Sequence, residues 1–455
     1  MQFDRKSRPK SLTQINFIPP SIQSFSLRNG LKIYFNEKNE LPIVRMNLIF
    51  NCGSKYDEKD KKGLSNVLSM CIDEGAGSFN ALQLADEFEV LGASFNVSCD
   101  NDIIIMSLQV LSENFSAALA LIGSIVLNPH LSEGDFNREK HKLLIRLHQA
   151  QTEPDYIADV AFEYFLFGKD SPYAYPTSGI EQCIPNIQIN TVRDLYDKTF
   201  IPSNSYLVIV GNINRVQLKN ELESVFKTWS GNQLIKQELL SKVSYKSKTF
   251  IIEKPGATQT EIRIGHLSSQ RNENDFYHKQ IINLILGGQF SSRLNINLRE
   301  KNGYTYGINS QFNYLKEAGF FCVSTSVDSA NTLKALKEIF YEIKEIKKGI
   351  ISKELIFAKS SITNKYPLNF ETYRQISANI TAKVIHNLPE NYFETYIKKI
   401  SELSLDDVNS IASSSIHPDQ LTTVLVGDSK NIIIQLDELD LGEVEVLEFD
   451  EIFKR

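Results

Sequence analysis

Residues 191–212, TVRDLYDKTFIPSNSYLVIVGN, and residues 407–428, DVNSIASSSIHPDQLTTVLVGD, align without a gap at an offset of 216. Val192 meets Val408, Pro202 meets Pro418, Gly211 meets Gly427 and Asn212 meets Asp428. Each stretch reads as a helix, a proline-containing turn and an apolar β run closed by glycine and a turn residue. The same offset lays VRMNLIF (44–50) on TEIRIGH (260–266), both alternating strand candidates. An offset shared by both ends of a domain-sized unit marks a duplication. The chain is therefore expected to fold as two homologous tandem domains, which 455 residues can accommodate.

The expected division is an N-terminal extension over 1–20, a first domain over 21–230, a linker over 231–248 and a second domain over 249–455. The boundary stretch SGNQLIKQELLSKVSYKSK follows the sole tryptophan, Trp229, and has weak periodicity. In the first half, strands over 24–38 and 41–51 precede a helix from about 61, a strand pair in LGASFNVSCDNDIIIMSLQVL, and helices over 113–126 and 133–150. The second half repeats this with a strand at 259–266, a helix at 275–286, strands in GINSQFNYLKEAGFFCVSTSV, and helices at 330–349 and 352–365. Strands in meanders with helices grouped between them predict an α+β fold. Each domain is a mainly antiparallel sheet with helices packed against one face.

Composition closes off several function classes. A net charge of −6 and a pI near 5.8 give no global basic field for nucleic acid or an anionic membrane surface. The lysine-rich KEIFYEIKEIKKG (337–349) alternates with acids and reads as a solvated helix face. No apolar run reaches the ~18 residues of a spanning helix. The basic N-terminus lacks the apolar core of a secretory signal, and Asp4 argues against a mitochondrial presequence. Five scattered cysteines without a C-x-x-C read as reduced core residues, so the expected location is cytoplasmic.

Residues 63–71, GLSNVLSMC, open with a helix start and carry an apolar face of Leu64, Val67, Leu68 and Cys71. Taken with SLRNGLKIYF (26–35), LGASFN (91–96), KPGATQTEIRIGH (254–266) and the repeat architecture, the chain resembles the M16 (insulinase or pitrilysin-like) metallopeptidases over roughly residues 20–450. Within that family it resembles the shorter, processing-peptidase-like chains. Active members carry an inverted zinc motif, His-x-x-Glu-His, after the Gly-Leu pair. Two His at i and i+4 share a helix face and bind zinc, and the Glu activates the metal-bound water. The resemblance puts the two His positions at Asn66 and Met70, the base position at Ser69, and a third ligand position, a Glu in active members, at Arg146. All four have changed.

The replacements oppose the chemistry. Protein zinc takes Cys, His or carboxylate ligands, whereas amide and thioether groups are poor substitutes. Arg146 adds a permanent cation, and Ser69 has no pKa suited to deprotonating water. A displaced site on His141 and His148, seven apart on one helical face with Glu139 nearby, is weaker than a plain surface reading because no second His cluster supports it. For Asp73 and Glu74 two readings stay open: an ion pair with Arg146 in the metal's place, or a solvated loop.

LGGQFSSRLNINLREKNGYTYGINSQF (286–312) stands apart from this loss. Gly287 and Gly288 read as a helix stop, Ser291–Lys301 as a second helix ended by Asn302-Gly303, and Tyr304 and Tyr306 as the start of a strand with both rings on one face. Arg299 then sits in the last helical turn, where a cation is favoured. By composition alone this is a well-capped helix followed by β-forming tyrosines. The resemblance adds that the second domain of M16 peptidases contributes an Arg, and a Tyr seven residues later, that hold the substrate backbone and polarise the scissile carbonyl. Arg299 and Tyr306 have that spacing; Tyr304, five residues from Arg299, is the lesser candidate for substrate contact. The resemblance thus implies a zinc-free, non-catalytic subunit supplying Arg299 and Tyr306 in trans. Its partner is a zinc-bearing M16 homologue in a heterodimer, its substrate a peptide, and no cofactor is expected in this chain. The alternative is a structural or peptide-binding scaffold subunit.

Overall fold

The computed structural model of the chain describes residues 17–231, 247–436, 439, 441 and 443–454. Most of the expected extension and the core of the expected linker, 232–246, lie outside the described residues. Two six-stranded sheets carry the architecture. Across the first, the strands run Gln23–Ser26, Lys32–Glu37, Ser205–Gly211, Ile43–Phe50, Ile104–Leu111 and Ser94–Cys99. Across the second they run Glu443–Leu447, Lys248–Glu253, Thr422–Gly427, Gln259–Ser268, Gly319–Asp328 and Ile308–Tyr314.

Five of the six positions correspond, within a residue or two of the spacing seen in the sequence. Lys32–Glu37 matches Lys248–Glu253, and helix Ile189–Thr199 matches helix Leu405–Ser415, each 216 residues on. In both sheets the strand ending in Gly211 or Gly427 lies parallel to the Lys-initiated strand and antiparallel to the next. The sheets differ only at the strand added outside that pair: Gln23–Ser26 is antiparallel to its neighbour and Glu443–Leu447 parallel.

The helices of each half cover one face of its sheet, as the patterning requires. In the first half Val44, Met46, Leu48 and Phe50 point into a core with Val67, Leu68, Cys71 and the helix Phe115–Leu127. Ile49, on the opposite face, joins a different core with Val208 and Val210. Strands buried on both sides read as continuous apolar runs, which accounts for LVIV at 207–210. What covers the second face comes from the other half. Helix Tyr373–Ile385 packs on Ile43–Phe50 and Ser205–Gly211, and helix Pro154–Phe167 packs on Gln259–Ser268 and Thr422–Gly427.

A buried polar knot fixes the seam between the halves. Lys55 Nζ lies 2.9 Å from Asp102 and 2.7 Å from Glu317, with the Lys55 and Asp102 side chains almost fully enclosed. Asp102 also accepts from the Tyr173 hydroxyl at 2.7 Å and the Lys316 backbone N–H at 2.8 Å. A desolvated carboxylate needs such a set of donors, because an unmet one would cost several kcal/mol. No helix among the described residues is long and apolar enough to cross a membrane.

Candidate functional site

Helix Leu64–Cys71 starts where the sequence places it, and Asp57 is the reason. Its buried carboxylate accepts from Gly63 N–H at 2.9 Å, Ser65 N–H at 3.0 Å and Ser65 Oγ at 2.6 Å, satisfying donors the helix leaves open. Burial pushes the Asp57 carboxyl up to about 6. Gly63 has φ 104°, and a Cβ there would meet Ile184 Cδ1 at 2.7 Å, so the Gly-Leu pair is dictated by backbone and packing.

The positions the resemblance assigns to zinc do converge. Asn66 Nδ2 and Met70 Sδ, one turn apart, are separated by 3.9 Å, and Arg146 Nη2 reaches the same sulfur at 3.3 Å from helix Glu133–Ala150. Ser69 is buried and turns its hydroxyl back to Asn66 O at 2.8 Å. The donor set is an amide, a thioether and a cation, which does not fit a zinc ion. Nothing here can hold the metal or activate a water on it.

The open question about the acidic pair is answered beside this place. Glu74 accepts from Arg138 Nη2 at 2.5 Å, not from Arg146. Arg138 also contacts Asp135 and Glu139, and Lys142 reaches Glu139 at 2.7 Å. Arg146 lies two turns from Arg138 along the helix, over Met70, so its charge is directed to the sulfur. Asp73 is pushed up to about 6 by burial, with the neighbouring Glu74 and Glu139 charges adding to it. His141 and His148 are both exposed. Among the described residues no group of three His, Cys, Asp or Glu side chains could hold a metal ion.

In the second half, helix Phe276–Leu286 ends at Gly287, as expected, but for a packing reason. Gly287 is not left-handed; a Cβ on it would meet Ser310 Oγ at 2.5 Å. The expected helix over Ser291–Lys301 becomes a π-helix over Asn295–Lys301. Buried Asn295 ties it in place: Nδ2 donates to Ile308 O at 2.7 Å, Ser292 Oγ at 3.1 Å and Gln289 O at 3.2 Å, and Oδ1 accepts from Ile308 N–H at 3.4 Å. One side chain thereby joins the loop before the helix, the helix and the strand after it. Wide turns of this kind recur at functional sites. Nothing in the spacing of apolar residues signals it.

Arg299 does stand in the last turn of this helix. Its guanidinium carbon lies 3.9 Å from the centroid of the Phe290 ring, and its Nε is 3.7 Å from Glu300 Oε1. Tyr304 and Tyr306, in contrast, do not begin a strand. The strand starts at Ile308. The Thr305 hydroxyl donates to Gly307 O at 2.9 Å and accepts Gly307 N–H at 3.1 Å, holding a turn that postpones the ladder. The two rings therefore diverge. Tyr304 is half-buried against the core, its N–H closing the helix on Leu298 O at 2.8 Å. Tyr306 is 95% exposed. Among the described residues the contacts of the Arg299 guanidinium are with Phe290 and Glu300, and Tyr306 stands free at the other side of the loop. Phe290 and Asn295, both bearing on Arg299, escaped the sequence reading because their partners are set by tertiary contact.

Comparison with known proteins gives the family and the fold. Residues 32–166 match the family model for insulinase (peptidase family M16), and residues 186–361 match that for the peptidase M16 inactive domain, together more than half of the chain. The chain belongs to the M16 peptidase family. A Rickettsia felis relative, described as an uncharacterized zinc protease, is 26% identical over 408 residues, covering 88% of this chain and 96% of the relative. A Helicobacter pylori relative described as the non-peptidase homolog YmxG is 22% identical, covering 88% and 92%. The crystal structure of a peptidase M16 inactive domain from Pseudomonas fluorescens superposes with a TM-score of 0.84 at 27% identity, covering 90% of this chain and 98% of that one. The two-sheet architecture is that of M16 peptidases.

Proposed function

We propose that this chain is the zinc-free subunit of a two-chain M16 peptidase, and that it supplies Arg299 and Tyr306 to a site whose zinc and general base belong to a homologous partner. The observation that carries this reading is the contrast between the two places just described. Asn66, Met70 and Arg146 converge in a set that repels a divalent metal. The Arg299 guanidinium carbon sits 3.9 Å over the Phe290 ring, and its one carboxylate contact among the described residues, Glu300 at 3.7 Å, is too long for a hydrogen bond. A planar fork with unspent donors suits a peptide carbonyl oxygen, and its charge favours the oxyanion that develops on attack. The name of the Helicobacter relative, a non-peptidase homolog, is in keeping with the loss. Free thiols at all five cysteines favour a reducing compartment, such as the cytoplasm.

Substrate would enter as an extended peptide and pair with an open sheet edge. The outer strands Ser94–Cys99 and Ile308–Tyr314 both have one. The experiment is reconstitution with a homologue from the same organism that carries an intact His-x-x-Glu-His motif. The isolated chain should cleave nothing, the mixture should cleave peptides, and Arg299→Ala should depress turnover while the complex stays assembled. Unchanged turnover in Arg299→Ala and Tyr306→Phe would sink the trans-site reading. A scaffold subunit is the second reading, favoured by the almost complete exposure of Tyr306. It expects stable association and indifference to both substitutions.

A further inference from the structure

We propose that Phe290 is the positioning residue for Arg299, a ring that fixes the plane of the guanidinium and leaves its edge for the substrate. This rests on the reading of Arg299 given above. Phe290 is 64% exposed, in the loop between helix Phe276–Leu286 and the π-helix, so packing into the core is not what holds it there. Its ring lies under the Arg299 guanidinium at 3.9 Å. Such a contact uses the face of the cation and none of its five N–H donors, all of which lie in the plane. A carboxylate clamp would do the opposite: it would hold the cation by the donors a substrate carbonyl needs.

The nearest carboxylate illustrates the competition. Glu300 Oε1 is 3.7 Å from Arg299 Nε, too long for a hydrogen bond, and would capture the fork if the guanidinium were free to swing. The ring resists that swing. Asn295 makes the pairing reproducible, because its side chain joins Gln289, next to Phe290, to Ser292, to the helix bearing Arg299 and to Ile308, two residues beyond Tyr306. Loop, helix and strand start therefore move as one unit.

The test uses Phe290→Leu, which removes the ring, and Phe290→Tyr, which restores it. In the full-length isolated chain, the Arg299 side-chain protons should show an upfield ring-current shift by NMR. Phe290→Leu should abolish that shift and Phe290→Tyr should keep it; a shift that is absent, or indifferent to Phe290→Leu, overturns the proposal. In the reconstituted complex, Phe290→Leu should lower kcat/KM by about two- to fivefold, the size of an exposed cation–π contact. Phe290→Tyr should recover it, and the loss should vanish when Arg299 is already Ala. An equal loss in the Arg299→Ala background would mean that Phe290 acts by another route, and the proposal fails. If Arg299→Ala itself leaves turnover unchanged, the functional reading falls, and the NMR result alone decides the positioning.

Discussion

The Arg146 guanidinium rests on the Met70 sulfur at 3.3 Å, and Asn66 faces the same sulfur one helical turn away. Three side chains from two helices thus meet at the point to which the resemblance assigns the family's zinc ligands. Both helices are formed there, and their side chains offer an amide, a thioether and a cation.

Rebuilding should therefore be possible. Asn66→His, Met70→His and Arg146→Glu together should let the chain retain near-stoichiometric zinc after dialysis, where the parent should retain none at this place. Adding Ser69→Glu should be required before any hydrolysis appears. Metal analysis of the triple variant checks the first part, and a continued lack of zinc would show that the helices are wrongly spaced.

In the reconstituted peptidase, Arg299→Ala should cost about 10²-fold or more in kcat, the range for loss of one oxyanion donor. Tyr306→Phe should cost less, on the order of tenfold, for a single neutral hydrogen bond. Steady-state kinetics beside analytical ultracentrifugation would separate a lost contact from a dissociated complex.

The knot of Lys55, Asp102 and Glu317 should be costly to break and cheap to replace. Lys55→Met leaves the enclosed Asp102 and the half-buried Glu317 without their cation, so unfolding should become easier by about 3 kcal/mol. Combining it with Asp102→Leu should recover part of the loss. Urea unfolding of the two variants gives the comparison.

Asp73 should make the protein less stable at neutral pH than in mild acid. Burial raises its folded pKa to about 6, above the ordinary value of 3.8, so the folded state holds the proton more tightly. That contribution is complete below the ordinary value and disappears as the pH rises through about 6. Asp73→Asn should thus add about 1–2 kcal/mol at pH 8 and next to nothing at pH 4. Thermal melts across that range would refute it if the gain were independent of pH.

Neither half should fold well by itself. Residues 1–231 would keep helix Pro154–Phe167 without the sheet it covers, and bare the face that Tyr373–Ile385 covers. Expressed separately, the halves should aggregate, and co-expressed they should associate. Two soluble monomers with cooperative unfolding would contradict this.

The sequence alone determined the duplication, most element positions and which side chains stand where the resemblance assigns the zinc ligands. These follow from local rules: the apolar spacing of a helix or strand, the turn chemistry at its ends, and which side chains can bind a metal. The offset of 216 reappears in the strand order because each repeat carries the same local instructions. It also misled where local rules compete. Tyr304 and Tyr306 have strand spacing, yet the Thr305 hydroxyl claims the Gly307 backbone and the strand starts later. Tertiary structure alone decided which half covers which sheet, why Arg146 lies on Met70 while Arg138 takes Glu74, and what supports Arg299. Such contacts join residues far apart in the chain, and which of several compatible surfaces meet depends on the shape and charge of the assembled fold.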